Sequence, residues 1–220
     1  RPQEIAVIEV NQHVIAVSDT SRKLNDCPVV IDDFLGRDTQ DYLLEYVVAK
    51  EHEFKESTIT NPKTGEDFID VKSRSSKILS RIPEIKILIS EKIRDHIKGL
   101  ALHDLVDEEF KYSGFECQIT AHSDGSFFKN HRDDIGGKNE SRFISYVYYF
   151  NKEPKLFSGG YLKITPDEKN YSKKILIEPR NNRIVFFKSH LYHEVLPVEI
   201  PTDIFSASRF TLNGWLHRPL

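Results

Sequence analysis

The chain has 220 residues, of which 39% are hydrophobic, so one domain can bury a sizeable core. Lys and Arg number 31 against 34 Asp and Glu, and the formal charge of -3 gives no electrostatic case for nucleic acid or an anionic membrane as a partner. No apolar run approaches the roughly 18 residues of a membrane-spanning helix, and no charged-then-apolar leader opens the sequence. These features predict a cytoplasmic protein.

The first half of the sequence predicts two helices with extended or flap-like segments around them. Residues 1–26 begin with apolar–polar alternation and then turn polar, which favours an edge strand or ordered arm followed by a loop. Apolar side chains at helical spacing predict a helix over 38–50, and Pro83 opens a second pattern of this kind. Between these helices, residues 54–75 hold turn-forming dipeptides flanked by polar, β-leaning segments, which predicts a hairpin or flap.

From about residue 113 the pattern changes to short β-rich runs that are separated by turn residues. These runs lie at 115–121, 143–150, 160–165, 174–178, 183–188, 193–199 and 207–217. Several short strands in series are typical of a sandwich, barrel or jelly roll. We therefore predict an α+β fold in one domain over 1–220, in which residues 1–112 support a β core formed by 113–220. The segment from His122 to Asn130 is interpreted as a loop.

Three side chains in the β-rich half could hold a metal ion. His131 and Asp133 are two positions apart, and residues i and i+2 of an extended chain project to the same face. His193 lies far along the chain, but jelly-roll strands can bring such distant positions together. Two imidazoles and one carboxylate leave other metal positions open, as iron(II) oxygenases require. Each element alone is a weak signal, since a solvated His beside a turn Asp occurs by chance.

Arg209 begins a strand-like run in which alternate residues share one face. Thr211, Asn213 and Trp215 follow on the face of Arg209, and the apolar residues between them lie on the other face. An arginine that points inward among apolar neighbours requires an anion, and a carboxylate suits the planar guanidinium. A structural ion pair with a local acid is the alternative interpretation.

The order of these motifs resembles that of the 2-oxoglutarate- and iron(II)-dependent dioxygenases, and within them the prolyl 4-hydroxylase-like group. The resemblance covers roughly residues 113–218 and implies a double-stranded β-helix, or jelly roll, as the core. The motifs that carry it are, in chain order, His131-x-Asp133, Tyr148-Tyr149-Phe150-Asn151, Ser158-Gly159-Gly160-Tyr161-Leu162, Asn182-Arg183-Ile184-Val185-Phe186-Phe187, His193-Glu194-Val195 and Arg209.

The resemblance also implies a chemistry and a set of roles. It implies that His131, Asp133 and His193 bind Fe(II) as the catalytic centre, and that Arg209 pairs with the far carboxylate of 2-oxoglutarate. The implied reaction hydroxylates an unactivated C–H bond with O2 and releases succinate and CO2, with ascorbate as an optional addition. The expected substrate is a prolyl residue, an amino acid or a peptide-like molecule, and the sequence leaves the oligomeric state open.

The lining of the expected cosubstrate pocket matches the group less completely. Tyr149 is similar to a tyrosine whose hydroxyl donates to the far carboxylate in hypoxia-sensing prolyl hydroxylases, with a packed strand tyrosine as the alternative. Asn213 and Trp215 are similar to a cosubstrate-pocket position and a pocket-wall position. A pocket tyrosine of the related enzymes is replaced by Ala121 here. Its part could be taken by a polar neighbour: Gln118, Thr120 or His122.

Two other functions use the same residues. A zinc hydrolase could employ His131, Asp133 and His193, since zinc accepts the same ligands. The chain could also be a non-catalytic jelly-roll binding module with a vestigial metal site. For an enzyme, the flap at 54–75 and the segment 122–130 are the predicted substrate-recognition elements.

Overall fold

A computed structural model describes residues 27–61, 63–102, 105–106, 110–135, 137–166 and 174–219 of the chain. Its helices are α1 (Arg37–Ala49) and α2 (Pro83–Leu102). Its strands are β1 (Val29–Ile31), β2 (Lys55–Glu56), β3 (Ile59–Thr60), β4 (Asp67–Phe68), β5 (Arg74–Ser75), β6 (Lys77–Leu79), β7 (Gly114–His122), β8 (Phe127–His131), β9 (Arg142–Phe150), β10 (Ser158–Gly159), β11 (Leu162–Thr165), β12 (Ile175–Ile177), β13 (Arg183–Lys188), β14 (Tyr192–Val195), β15 (Val198–Glu199) and β16 (Arg209–His217).

Both predicted helices are present, and each buries one apolar stripe. In α1 the buried side chains are Leu43, Tyr46 and Val47, at the spacing of successive helical turns. α2 begins with Pro83, whose missing N–H costs nothing in a first turn, and its buried positions include Ile85 and Ile89. Neither helix has the length and apolar character that crossing a membrane demands.

Two antiparallel sheets build the β core. The larger sheet has the strand order β1-β13-β9-β16-β7-β6-β2, and the smaller has the order β12-β11-β14-β8-β5. The pairs β3–β4 and β10–β15 lie outside these two sheets. The sheets pack on each other and the helices cover the outer face of the larger sheet, which confirms the predicted α+β fold with a jelly-roll core supported by N-terminal helices.

The alternating side chains of β9 show that the larger sheet packs on both of its faces. Ile144, Tyr146 and Tyr148 belong to the cluster that packs under the helices. Val147 and Tyr149 belong to the cluster between the two sheets, with side chains of β11, β12 and β13. Because successive side chains of a strand point to opposite faces, one face of β9 packs on the helices and the other faces the space between the sheets.

The structure differs from the sequence-based prediction in the segment 122–130. The prediction of a loop is wrong for its second half, because Phe127–His131 forms β8 and pairs with β14 and β5. Only the turn around Asp124 and Gly125 is irregular. Both partners of β8 are distant in sequence, so local patterning carries no trace of this pairing.

The N-terminal half of the chain also contributes strands to both sheets. The predicted hairpin over 54–75 is present as β3–β4, where Ile59 lies opposite Phe68. β1, β2 and β6 extend the larger sheet, and β5 forms one edge of the smaller sheet. The predicted strand or arm over 1–26 lies outside the described residues, so the single-domain organisation over 1–220 stays a prediction.

Candidate metal and cosubstrate site

Two histidines of the candidate metal site are cross-strand neighbours in the smaller sheet. His131 ends β8 and lies opposite His193 of β14 in the strand register. The ring centroids of His131 and His193 are 4.2 Å apart. His131 stacks on Phe128 with centroids 3.5 Å apart, and Phe187 meets His193 edge-on at 4.7 Å. Strand pairing therefore brings together two imidazoles from distant parts of the chain, and aromatic neighbours hold their planes.

Backbone hydrogen bonds orient both imidazoles in the same way. The Nδ1 of His131 lies 2.7 Å from the carbonyl oxygen of Lys129, and the Nδ1 of His193 lies 2.9 Å from that of Leu191. A carbonyl can only accept, so each Nδ1 carries the proton and each neutral ring keeps a lone pair on Nε2. This arrangement is common for histidines that bind metals through Nε2.

Asp133 completes the group from a bend directly after β8. Its Oδ1 lies 3.5 Å from Nε2 of His131, and its Oδ2 lies 3.3 Å from Nε2 of His193. The ligand atoms of the three residues all lie within 4.8 Å of one another. The strand ends at His131, so the bend, and not the continued alternation expected from the sequence, turns Asp133 toward the histidines.

Two serines from the strands behind the site hold Asp133 in place. The Ser145 hydroxyl donates to Oδ2 of Asp133 at 2.6 Å, and its Oγ lies 3.0 Å from Oγ of Ser189. The backbone N–H of Asp133 donates to the carbonyl oxygen of Ser189 at 3.0 Å. Ser145 and Ser189 are buried, so these contacts are shielded from water. The sequence motifs pointed to neither serine.

Burial and mutual charge control the protonation of this group. Burial and the nearby His193 together lower the pKa of His131 to about 4, although the Asp133 carboxylate opposes this shift. Burial alone would raise the pKa of Asp133, but His193 and His131 outweigh it and hold that pKa well below its usual range. Burial likewise opposes a charged His193, yet the Asp133 carboxylate raises its pKa overall. The carboxylate is therefore ionised, and these donors suit a divalent transition metal.

The larger sheet contributes a buried cation to the same pocket. Arg209 begins β16, is 1% exposed, and lies opposite His122 of β7. Its Nη1 donates to Nδ1 of His122 at 3.1 Å, so the proton of that ring is on Nε2. Burial lowers the pKa of His122 well below its ordinary value, and the guanidinium groups of Arg209 and Arg74 lower it further. A neutral His122 therefore leaves the Arg209 charge without an anionic partner among the described residues.

Two buried polar atoms beside Arg209 lack hydrogen-bond partners among the described residues: its own Nε and the hydroxyl of Tyr149. The guanidinium carbon lies 5.0 Å from the centroid of the Tyr149 ring. Burial raises the pKa of Tyr149 to about 12, so the hydroxyl stays protonated and can donate. Two unsatisfied buried donors beside an uncompensated cation fit the far carboxylate of 2-oxoglutarate.

A pair of glycines makes room for the guanidinium. Gly159 and Gly160 have φ angles of +68° and +65°, which L side chains rarely adopt. A Cβ on Gly160 would lie 2.6 Å from Cδ of Arg209, and a Cβ on Gly159 would lie 2.3 Å from the carbonyl oxygen of Pro197. Both contacts leave no room for a side chain at either position.

Of the remaining predicted pocket positions, those on β16 face the pocket, but the one at Ala121 on β7 does not. Asn213 and Trp215 line the pocket, and Oδ1 of Asn213 accepts a hydrogen bond from the Thr120 hydroxyl at 2.8 Å. Ala121, by contrast, is buried in the core cluster on the opposite face of β7. The pocket-facing positions of this strand are Gln118, Thr120 and His122.

Arg74 lies within the predicted flap over 54–75, but the sequence did not single it out as a pocket residue. Arg74 of β5 lines the pocket, with its guanidinium carbon 4.7 Å from the centroid of the Phe128 ring. Its local sequence, Ser73-Arg74-Ser75-Ser76, is polar and carries no periodic signal. Only the pairing of β5 with β8 places it beside the candidate metal site.

Comparisons with known proteins agree with this geometry. Residues 117–217 match the family model described as the 2OG-Fe(II) oxygenase superfamily, a description that itself includes iron(II) and 2-oxoglutarate. An uncharacterised PKHD-type hydroxylase of Synechocystis sp. is 36% identical over 198 residues, which cover 86% of this chain. The chain spans 63% of the length of that relative, which is less than two thirds.

Solved structures share the fold at low sequence identity. A Pseudomonas putida prolyl-4-hydroxylase superposes with a TM-score of 0.62 at 20% identity, covering 89% of this chain and 94% of that one. A Trichoplax adhaerens prolyl hydroxylase, solved with a peptide fragment of the hypoxia-inducible factor oxygen degradation domain, gives 0.64 at 20% identity, with coverages of 87% and 83%. Residues 117–217 thus match the model of the 2OG-Fe(II) oxygenase superfamily, and the chain has a prolyl 4-hydroxylase-like fold.

Proposed function

We propose that this chain is a 2-oxoglutarate- and Fe(II)-dependent dioxygenase that hydroxylates an unactivated C–H bond and releases succinate and CO2. One observation carries the proposal: three metal-ligand side chains and a buried guanidinium, which has no carboxylate partner among the described residues, line one pocket between the two sheets. The metal group is on the smaller sheet and the guanidinium on the larger. The family match of residues 117–217 supports the same chemistry.

In this proposal His131, Asp133 and His193 hold the iron. The two rings present Nε2 lone pairs because their Nδ1 protons are engaged by backbone carbonyls. Ser145 steadies the carboxylate of Asp133, which contributes the negative charge of the site. Three protein ligands leave further metal positions for a chelating cosubstrate and for O2.

Arg209 and Tyr149 hold 2-oxoglutarate by its far carboxylate. Nε of Arg209 and the hydroxyl of Tyr149, which have no hydrogen-bond partner in the part of the chain that the structure describes, donate to that group. Gly160 leaves the space in which the guanidinium lies. Asn213 borders the same space. Hydrogen bonds to a carboxylate bound in this buried position are strengthened by the low local dielectric.

Bound Fe(II), with O2 and 2-oxoglutarate, supplies the oxidising power for hydroxylation through decarboxylation of the cosubstrate. The protein orients the cosubstrate and excludes water. Apolar side chains of the pocket wall, among them Leu162, Phe187 and Val195, surround the metal group. The reaction requires no general base, and no protein group has to take a proton from the substrate carbon.

The substrate class that we propose is a prolyl residue, an amino acid or a peptide-like molecule. The support is analogy: the solved relatives include a prolyl-4-hydroxylase and a prolyl hydroxylase in complex with a peptide. Fold likeness does not by itself determine a substrate.

The test is succinate release from 2-oxoglutarate by purified protein with Fe(II) under air. We expect iron-dependent succinate formation that is lost in His131→Ala and in Asp133→Ala. Mass spectrometry of candidate substrates should then detect a product with one added oxygen atom. A protein that binds 2-oxoglutarate but forms no succinate with any candidate would favour the binding module instead.

Zinc hydrolysis is tested in the same preparation. Zinc accepts the same three ligands, but it needs neither Arg209 nor a dicarboxylate. Anaerobic addition of 2-oxoglutarate to the Fe(II) protein should produce the weak visible charge-transfer absorption of a chelated keto acid. Zn(II)-supported hydrolysis that is indifferent to Arg209→Ala would contradict the oxygenase proposal.

A further inference from the structure

Arg74 has no role in the proposed cosubstrate or metal sites, although it lines the same pocket. It lies on β5, at the edge of the smaller sheet, opposite Phe128 of β8. Its guanidinium carbon is 4.7 Å from the centroid of the Phe128 ring, and that ring stacks on the metal-ligand candidate His131. A cation therefore lies one aromatic ring away from the candidate metal centre.

The protein holds this guanidinium by part of its donor set only. Nε of Arg74 donates to Oγ of Ser76 at 3.2 Å, and Nη1 donates to the carbonyl oxygen of Thr58 at 3.2 Å. The hydroxyl of Ser76 is itself 2.8 Å from that of Ser57, which steadies the acceptor. Within the described part of the chain, Nη2 has no acceptor. The side chain is thus oriented in advance while one edge of the guanidinium stays available.

The other partly or fully buried arginines show what is unusual about Arg74. Four of them pair with a carboxylate: Arg132 with Asp134, Arg142 with Glu116, Arg180 with Glu178, and Arg183 with Asp32. Among the described residues, only Arg74 and Arg209 lack such a partner, and both line the pocket. The other buried or partly buried arginines of the described residues are neutralised within the protein, so Arg74 and Arg209 are the two that are available to pair with the anions of bound molecules.

The electrostatic surroundings are consistent with a retained charge. Burial lowers the pKa of Arg74 and the Asp133 carboxylate partly offsets this effect, which leaves the pKa at about 10, so the guanidinium is protonated at neutral pH. The Asp133 carboxylate is already engaged by two histidines and a serine. Asp133 therefore does not serve as a direct ion-pair partner of Arg74.

We propose that Arg74 binds a carboxylate of the primary substrate, so that the substrate is an acid, such as a free amino acid or a peptide ending near the hydroxylated residue, and not a neutral internal segment. Arg209, on the facing sheet, binds the far carboxylate of 2-oxoglutarate in the proposed function. Arg74 is therefore available to the primary substrate. This inference rests on the proposed function, because it assigns the substrate of that reaction.

The test compares acids with their amides. Probes are free amino acids and proline-terminated dipeptides, each paired with the corresponding carboxamide. Binding is measured by calorimetry to the protein loaded with Mn(II) and 2-oxoglutarate, because Mn(II) occupies such sites without turnover. We expect an acid that binds the wild-type protein about tenfold or more tightly than its amide, the usual gain of a charge-assisted pair.

In Arg74→Met, which keeps the apolar contact with Phe128, the acid-to-amide ratio should fall toward one, and in Arg74→Gln it should fall as well. Arg180→Met removes a half-buried arginine outside the pocket and should keep the wild-type ratio. Thermal unfolding of each variant identifies any that fails to fold. If Arg74→Met does not fold, Arg74→Gln, which can still form a hydrogen bond with Ser76, provides the same test.

Three results would overturn the inference. In the first, the wild-type protein binds no acid more tightly than its amide. In the second, the preference for the acid is retained in both Arg74 variants. In the third, the Arg74 variants bind 2-oxoglutarate more weakly but keep the wild-type acid-to-amide ratio. The last result would show that the carboxylate bound by Arg74 belongs to 2-oxoglutarate and not to the primary substrate. Failure of the proposed function is separate: it appears as absent iron-dependent succinate release in wild-type protein, whatever the acid preference.

Discussion

Gly160 lies against Arg209 so closely that a methyl group on it would stand 2.6 Å from Cδ and 2.9 Å from Nε of the arginine. The same methyl would lie 2.9 Å from Cγ2 of Val198. The glycine is therefore part of the cosubstrate pocket, although it has no functional group. Its conformation, with φ at +65°, adds a second reason why no other residue fits.

Gly160→Ala should weaken 2-oxoglutarate binding, because the added Cβ displaces the guanidinium from its place. We expect an apparent KM for 2-oxoglutarate at least about tenfold higher, and a loss of unfolding free energy of roughly 1–3 kcal/mol from backbone strain. Gly65→Ala is the matched control, since Gly65 has φ of +73° and no atom within 4 Å of an added Cβ. The control should lose stability only. Equal KM values for the two variants would contradict the role of Gly160.

Arg209→Ala should weaken 2-oxoglutarate binding and leave iron binding largely intact, because Arg209 is on the facing sheet and contacts none of the metal-ligand candidates. The loss of a buried charge-assisted pair is worth about 2–5 kcal/mol, or at least about thirtyfold in Kd. Anaerobic titrations of Fe(II) and 2-oxoglutarate measure the two affinities separately. Arg209→Lys, which keeps one charge, should fall between. An unaltered Kd for 2-oxoglutarate in Arg209→Ala would refute the carboxylate role.

Tyr149→Phe should separate cosubstrate binding from packing. The Tyr149 hydroxyl is buried and has no hydrogen-bond partner among the described residues. An unsatisfied buried group costs about 1–3 kcal/mol, so its removal should leave the unliganded protein equally stable or more stable. The Kd for 2-oxoglutarate should rise about tenfold as the donor to the far carboxylate is lost. Thermal unfolding with and without 2-oxoglutarate measures both effects. A variant that binds 2-oxoglutarate as well as wild type would make Tyr149 a packing residue only.

Ser145→Ala should reduce metal affinity, because its hydroxyl donates to Oδ2 of Asp133 at 2.6 Å. Loss of such a supporting hydrogen bond typically lowers metal affinity by about 10- to 100-fold, and we expect the Kd for Fe(II) to rise by about tenfold or more. Ser90→Ala removes a serine hydroxyl on α2, which bonds the carbonyl oxygen of Ile87, and should bind Fe(II) like wild type. Competition with a chelator gives both affinities. Wild-type affinity in Ser145→Ala would show that Asp133 needs no such support.

Much of this architecture was predictable because its signals are local. The helices around Leu43 and after Pro83 follow from apolar periodicity and a proline in a first turn, which act within a few residues. Most strands of the core were predicted from short β-rich runs. The candidate ligands His131 and Asp133 were recognisable because two donor types stand close together in the sequence.

Other features of the fold and the site depend on the pairing of strands that are distant in sequence. β8 exists because β14 and β5 pair with it, and this pairing sets His131 opposite His193. Ala121 faces the core and His122 the pocket, since a shift of one residue along a strand exchanges its faces. Arg74 lies within the predicted flap over 54–75, but only the pairing of β5 with β8 places it beside the candidate metal site.

The sequence by itself determined which donors, charges and turn-forming residues the protein has, and where helices and most strands form, because those preferences depend on neighbours along the chain. The tertiary structure decided which donors share a pocket and which guanidinium groups are left without a carboxylate. Such facts depend on strand register and on long-range pairing, and a hydrogen-bonded ladder joins residues whatever their separation in sequence.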